Sequence, residues 1–99
     1  MLADMSIETE AAKWLAYHAA WLLDQGKTSR EITKEIATAK AYASEVARRN
    51  AIKAVQIHGA YGTLPEFHVM RYLRDALEAV SAGGTNEIMR TIIGREITE

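Results

Sequence analysis

The sequence contains no cysteine, which excludes disulfides and thiolate metal sites. Its three histidines, His18, His58 and His68, are scattered, and no close-spaced pair marks a metal-binding helix face. No apolar run approaches the roughly 20 residues needed to cross a bilayer. The opening MLADMSIETE lacks the basic and apolar regions of a signal peptide, so no membrane partner and a cytoplasmic location are expected. Charge of either sign is also scarce in net terms: a formal balance of -1 gives no general attraction to nucleic acid. The local basic pairs Arg48/Arg49 and Arg71/Arg74 read as solvated helix faces. What is present is 99 residues, 48% hydrophobic and 25% charged, the composition of a folded chain with one domain over residues 1–99. A domain of this length buries only about 60–65% of its unfolded surface, so the core is modest.

Apolar residues recur at helical intervals throughout. Residues 3–25 carry one row at Met5, Ala12, Leu15, Ala19 and Leu22 and a second at Ile7, Ala11, Trp14, His18 and Trp21. Two apolar rows on one helix expose more surface than a single partner helix covers, so company is expected on both sides. Trp14 and Trp21, two turns apart on the second row, read as core or interface packing. Gly26 suits the left-handed position after this helix, and Thr28 with Glu31 has capping-box spacing for the next. A second, alanine-rich helix is expected from Ser29 to His58, with Ile32, Ile36, Ala39, Ala43, Val46, Ala54 and Ile57 down one side. Small residues on that side allow close helix approach, which marks it as a central helix. Gly59, Gly62 and the single proline, Pro65, interrupt it. A short helix from Glu66 to Asp75 or a little beyond and a last one from Thr85 to Ile97, with Thr85 as N-cap, complete the reading. The fold class is all-α, an antiparallel up-down bundle with one helix missing.

Two stretches carry chemistry. In Gln56-Ile57-His58-Gly59-Ala60-Tyr61-Gly62, small residues permit a turn with positive φ and close approach of a backbone or flat ligand, while Gln56 offers both a donor and an acceptor. The same glycines equally suit a plain helix C-cap. Gly83-Gly84-Thr85 precedes a helix N-terminus, where free N–H groups can receive phosphate or carbonyl oxygens, although two ordinary helices need the same break. Adjacent Arg74 and Asp75 point in different directions on a helix and read as scaffold.

Taken together, Gln56–Gly62, Arg71-Tyr72-Leu73-Arg74-Asp75 and Thr85-Asn86-Glu87-Ile88 resemble the acyl-CoA dehydrogenase family, whose carboxy-terminal domain has these motifs in this order and spacing. The L-A-D-M, E-A-A and A-A-W-L-L-D-Q-G stretches extend the resemblance over nearly the whole chain, with Gly83-Gly84-Thr85-Asn86-Glu87-Ile88-Met89 most like the long-chain and isovaleryl branches. The resemblance implies an FAD-dependent oxidoreductase that oxidises acyl-CoA thioesters, as in fatty acid β-oxidation, and passes electrons to an electron-transfer flavoprotein. It further implies that Gln56, Ile57, His58, Gly59 and Ala60 meet the adenine-bearing part of FAD held by a neighbouring subunit. Thr85, Asn86 and Glu87 are to lie against the flavin's phosphate or ribitol portion, with Gly83 and Gly84 near the substrate thioester. The sequence departs from the family pattern at Ala60, where a second glycine is usual, and at Gly83, where many members carry the glutamate base. No catalytic base is therefore assigned in this chain, which is expected to be inactive alone and to form a homo-oligomer or assemble with complementary domains. The rival expectation is a non-catalytic helical interaction module derived from that fold.

Overall fold

The computed structural model describes residues 1–64, 68–82 and 84–98. Four helices form, α1 (Leu2–Asp24), α2 (Thr33–His58), α3 (Val69–Ser81) and α4 (Asn86–Thr98), and a 3-10 turn over Gly59–Thr63 continues α2. No strand occurs among the described residues, so the architecture is the all-α one that the periodicity implies.

Helix α1 ends in a Schellman closure. Gly26 at φ +91° lets its own N–H reach the Leu23 carbonyl at 3.0 Å while that of Lys27 reaches Leu22 at 3.2 Å. The chain then returns along α1. Arg49 donates to the Glu8 carboxylate through Nε at 3.0 Å and Nη2 at 2.6 Å, and Asn50 Nδ2 donates to the Met5 carbonyl at 3.3 Å and Thr9 Oγ1 at 3.1 Å. These bonds fix α1 and α2 as an antiparallel pair. The first apolar row of α1 faces α2, with Ala19 buried and Met5, Ala12, Leu15 and Leu22 half-buried. The second row is open: Ile7, Trp14 and Trp21 are 66%, 61% and 55% exposed. Within this chain the tryptophans are therefore not core residues.

Two boundaries differ from those expected. The Thr28 hydroxyl does accept from the Glu31 N–H at 3.3 Å, but it caps only an isolated turn, and α2 starts at Thr33 instead of Ser29. The cause is Ile32, only 2% exposed and held at φ -117° to drive its side chain into the core before the helix begins. Helix α3 runs to Ser81, well past Asp75, because Ala76-Leu77-Glu78-Ala79 are strong helix formers. Its expected start at Glu66 lies outside the described residues, as does Pro65.

Helix α2 is the spine on which α1, α3 and α4 each pack. Because neighbours approach from three directions, burial falls on Ala37, Ala41, Ser44 and Val46, while Ile36 and Ile57 of the expected single row remain exposed. Contacts of Lys40 with Val80 and of Ser44 with Asn86 show α3 ending and α4 beginning beside the middle of α2. Met89 and Ile92 then line a groove with Ile36, Thr33 and Ser29, nearer the start of α2. Hence α3 and α4 follow one another in tandem, both antiparallel to α2. The result is elongated, 48 × 23 × 20 Å with a radius of gyration of 15.6 Å; a compact chain of this length would have about 13 Å.

Candidate functional site

The last turn of α2 delivers the first candidate stretch. Gly59 adopts φ 60°, ψ -140°, a conformation closed to ordinary side chains, and its N–H bonds the Gln56 carbonyl. Nothing lies within 4 Å of where a Cβ on Gly59 would stand, so the turn presents bare backbone to open space. Gly62 serves a different need: a Cβ there would come 2.8 Å from the Val55 carbonyl oxygen and 3.2 Å from the His58 Cβ. Its missing side chain lets the 3-10 turn fold back on α2. The His58 ring sits with Nδ1 2.9 Å from the Ala54 carbonyl, so that nitrogen carries the proton. Gln56, Ile57, His58, Gly59 and Ala60 are all exposed.

The second stretch opens α4. Thr85 is the N-cap expected: its hydroxyl oxygen accepts from the Ile88 N–H at 3.2 Å, and its carbonyl accepts from Met89 at 3.0 Å. Gly84 holds φ +111°, and a Cβ there would meet Met89 Cε at 3.0 Å. Thr85 and Glu87 are exposed, with Glu87 complementing the positive end of the helix. Gly83 lies outside the described residues, so its expected place near a substrate thioester is not located.

Asn86 behaves unlike its neighbours. It is 1% exposed, and its side chain is turned inward onto α2. Its Oδ1 accepts from Lys40 Nζ at 2.8 Å, and its Nδ2 donates to Ser44 Oγ at 3.0 Å, Glu45 Oε1 at 3.3 Å and the Ala41 carbonyl at 3.4 Å. An ammonium can only donate, so the atom facing Lys40 must be the oxygen, which settles the amide's orientation. The side chain of Asn86 is thus committed within the chain.

Around Asn86 stands a polar group that the motifs did not announce: Lys40, Ser44, Glu45 and Arg90. The Arg90 guanidinium, 2.6 Å from Glu45 Oε1, holds that carboxyl below its ordinary range against the opposing effect of desolvation. Glu8 is lowered in the same way, first by its hydrogen bonds from Arg49. The only sequence signal for this group is a lysine inside an alanine-rich run, Ala39-Lys40-Ala41. Arg74 and Asp75 are exposed and form no ion pair among the described residues. Among the described residues no helix is long and apolar enough to cross a membrane.

The two stretches do not converge in one copy. Asn86 meets α2 at Ala41 and Ser44, and the 14 residues from Ser44 to His58 correspond to about 21 Å at 1.5 Å per residue. A ligand touching both must be long or must be shared between copies. Backbone at Gly59, the Gln56 amide, Thr85 and Glu87 are exposed at these two stretches; the Asn86 amide is not.

The family model described as acyl-CoA dehydrogenase, C-terminal domain, matches residues 1–98. The chain belongs to this family. It is 45% identical over 96 residues to the probable acyl-CoA dehydrogenase YngJ of Bacillus subtilis, covering 97% of this chain and 24% of that protein. Against the caffeyl-CoA reductase-Etf complex subunit CarC of Acetobacterium woodii it is 44% identical over 93 residues, 94% of this chain and 24% of the relative. Butyryl-CoA dehydrogenase from Megasphaera elsdenii superposes with a TM-score of 0.93 at 41% identity, over 99% of this chain and 25% of that one. The chain thus spans about a quarter of the length of these relatives. The expected nearness to the long-chain and isovaleryl branches is corrected: the relatives whose names state a chain length are of the butyryl or short-chain type. That expectation leaned on the few residues around Gly83, whereas similarity over the full length weighs the helical scaffold.

Proposed function

We propose that this chain serves as the carboxy-terminal helical part of an FAD-dependent acyl-CoA dehydrogenase. The observation that carries the reading is the family match over residues 1–98, with both candidate turns falling on the surface. In the assembled enzyme FAD, when bound, accepts the hydride removed from the acyl thioester. The role of this chain is to bind and orient. Gln56 and the open backbone at Gly59 and Ala60 receive the adenine-bearing portion held by a neighbouring subunit, and Ile57 and His58 flank it. Thr85 and Glu87 border the phosphate or ribitol portion, with Asn86 anchoring their turn on α2, and Gly83 and Gly84 border the thioester. Glycine carries no carboxylate, so the α-proton is taken by a group outside this chain. The acyl-CoA substrate and an electron-transfer flavoprotein are partners of the assembly; the name of the Acetobacterium relative, a subunit of a reductase-Etf complex, supports the second. Residues 1–99 act as one partial domain, cytoplasmic and inactive alone.

A rival reading, a non-catalytic interaction module, draws on the exposed Ile7, Trp14 and Trp21 row. Mixing the chain with the amino-terminal helical and middle β domains of a family member separates the two. Flavin absorbance that co-migrates with both polypeptides, and weakens in Gln56→Ala, is expected. A stable complex that takes up no flavin would sink the dehydrogenase reading. Acyl-CoA oxidation by the isolated chain with added FAD and an electron acceptor would show that a base had been missed.

A further inference from the structure

Lys40 places a cation at the meeting point of three helices. Its Nζ lies 2.8 Å from the Val80 carbonyl in the last turn of α3, 2.7 Å from the Gly84 carbonyl and 2.8 Å from Asn86 Oδ1 in the first turn of α4. An ammonium has three N–H donors, and here each has an acceptor from a different part of the chain. The Val80 carbonyl belongs to the last turn of a helix, where carbonyls lack intrahelical partners and a cation is favoured by the helix dipole. Gly84 at φ +111° turns its segment into α4. Asn86 in turn carries the contact on to Ser44 and Glu45, and Glu45 to Arg90. Arginine could not reproduce this point-like arrangement, because its donors are spread over a planar fork.

We infer that Lys40 is a positioning residue, a clamp that draws the end of α3 and the start of α4 onto α2 and so sets the orientation of the Thr85–Glu87 turn. Its functional consequence rests on the proposed reading in which that turn borders the flavin. Without the clamp, α4 keeps its Thr85 cap and its groove contacts through Met89 and Ile92, but its first turn loses the tie to α3.

The absence of cysteine supplies the test. Lys40→Cys creates a single thiol in the chain; alkylation in urea with 2-bromoethylamine, followed by refolding, restores an ammonium at nearly the length of lysine. Iodoacetamide gives an uncharged adduct of similar bulk. Amide exchange at Ile88 and Met89, whose N–H groups bond Thr85, is expected to quicken about tenfold or more in Lys40→Met. Exchange around Asn50 should stay unchanged. The aminoethyl adduct should restore slow exchange and the iodoacetamide adduct should not. In the assembly with complementary domains, flavin retention should follow the same pattern, with about a tenfold loss. Unchanged exchange in Lys40→Met, or equal rescue by the uncharged adduct, overturns the clamp. If the variants do not fold, the wild-type chain decides: the Lys40 ammonium protons should exchange slowly and show NOEs to Val80 and Gly84. Rapid exchange like that of exposed Lys13 overturns it. Slow exchange and restored amide protection together with no flavin-induced change at Thr85 or Glu87 would refute the flavin reading while leaving the clamp in place.

Discussion

Replacing Asn86 by alanine should be among the most damaging single changes available in this chain. The residue is 1% exposed and joins α4 to α2 through Lys40, Ser44, Ala41 and Glu45. The loss can be bounded partner by partner. Lys40 keeps two carbonyl acceptors, and Ser44 keeps the Ala41 carbonyl at 3.3 Å, so neither group is stranded. What disappears is one charge-assisted bond, about 1.5–3 kcal/mol, and one good neutral bond, about 1 kcal/mol. The longer contacts add little. A total of about 3 kcal/mol is large against the roughly 5–15 kcal/mol that holds a domain of this size. It corresponds to a fall in melting temperature of about 10–20 °C. Thermal and urea unfolding followed by circular dichroism measure it directly, with Glu87→Ala, an exposed neighbour, as a control expected within about 0.5 kcal/mol. If Asn86→Ala costs less than about 1 kcal/mol, the inward network is not what holds α4 to the spine.

Three further outcomes follow from the same geometry. Glu8 and Glu45 are held below the ordinary carboxylate range, so the unfolded chain binds more protons in that window; stability is full above about pH 4.3 and falls as the pH drops through the lowered values. Acid titration should show this loss, reduced in Glu8→Gln. Gly62→Ala should destabilise by about 1–3 kcal/mol in urea melts, because the new methyl lands 2.8 Å from the Val55 carbonyl; a neutral result would contradict the close approach. Sedimentation should find the chain self-associated, and Trp14→Glu with Trp21→Glu should weaken association about 100-fold or more by charging the open row of α1. A monomer at high concentration, or an unaffected double variant, would refute that use of the row.

Much of the scaffold was legible because helices write their period into the chain. Both rows of α1, the Schellman glycine at Gly26, the cap at Thr85 and the break after His58 depend on residues within a turn or two of one another, and local sequence sets them. The motifs also located two surface turns. Their unlike roles for glycine were not legible: Gly59 and Gly62 stand three residues apart, yet one is open at positive φ and the other is pressed against α2. Nor was Asn86 separable from Thr85 and Glu87, since which member of a first turn faces inward depends on where the helix lies.

Sequence alone determined the all-α class, the two apolar rows of α1 and the family resemblance, because each follows from residue type at short spacing. Tertiary structure decided that α3 and α4 lie in tandem along α2, that Ile32 delays the start of the spine, and that Lys40, Asn86, Glu45 and Arg90 meet. The hydrogen-bond partners Lys40 and Asn86 are 46 positions apart along the chain. No local pattern encodes such a meeting; it arises only when three helices are packed on one, and the charge of a single lysine becomes the shared partner of groups that would otherwise face one another unpaired.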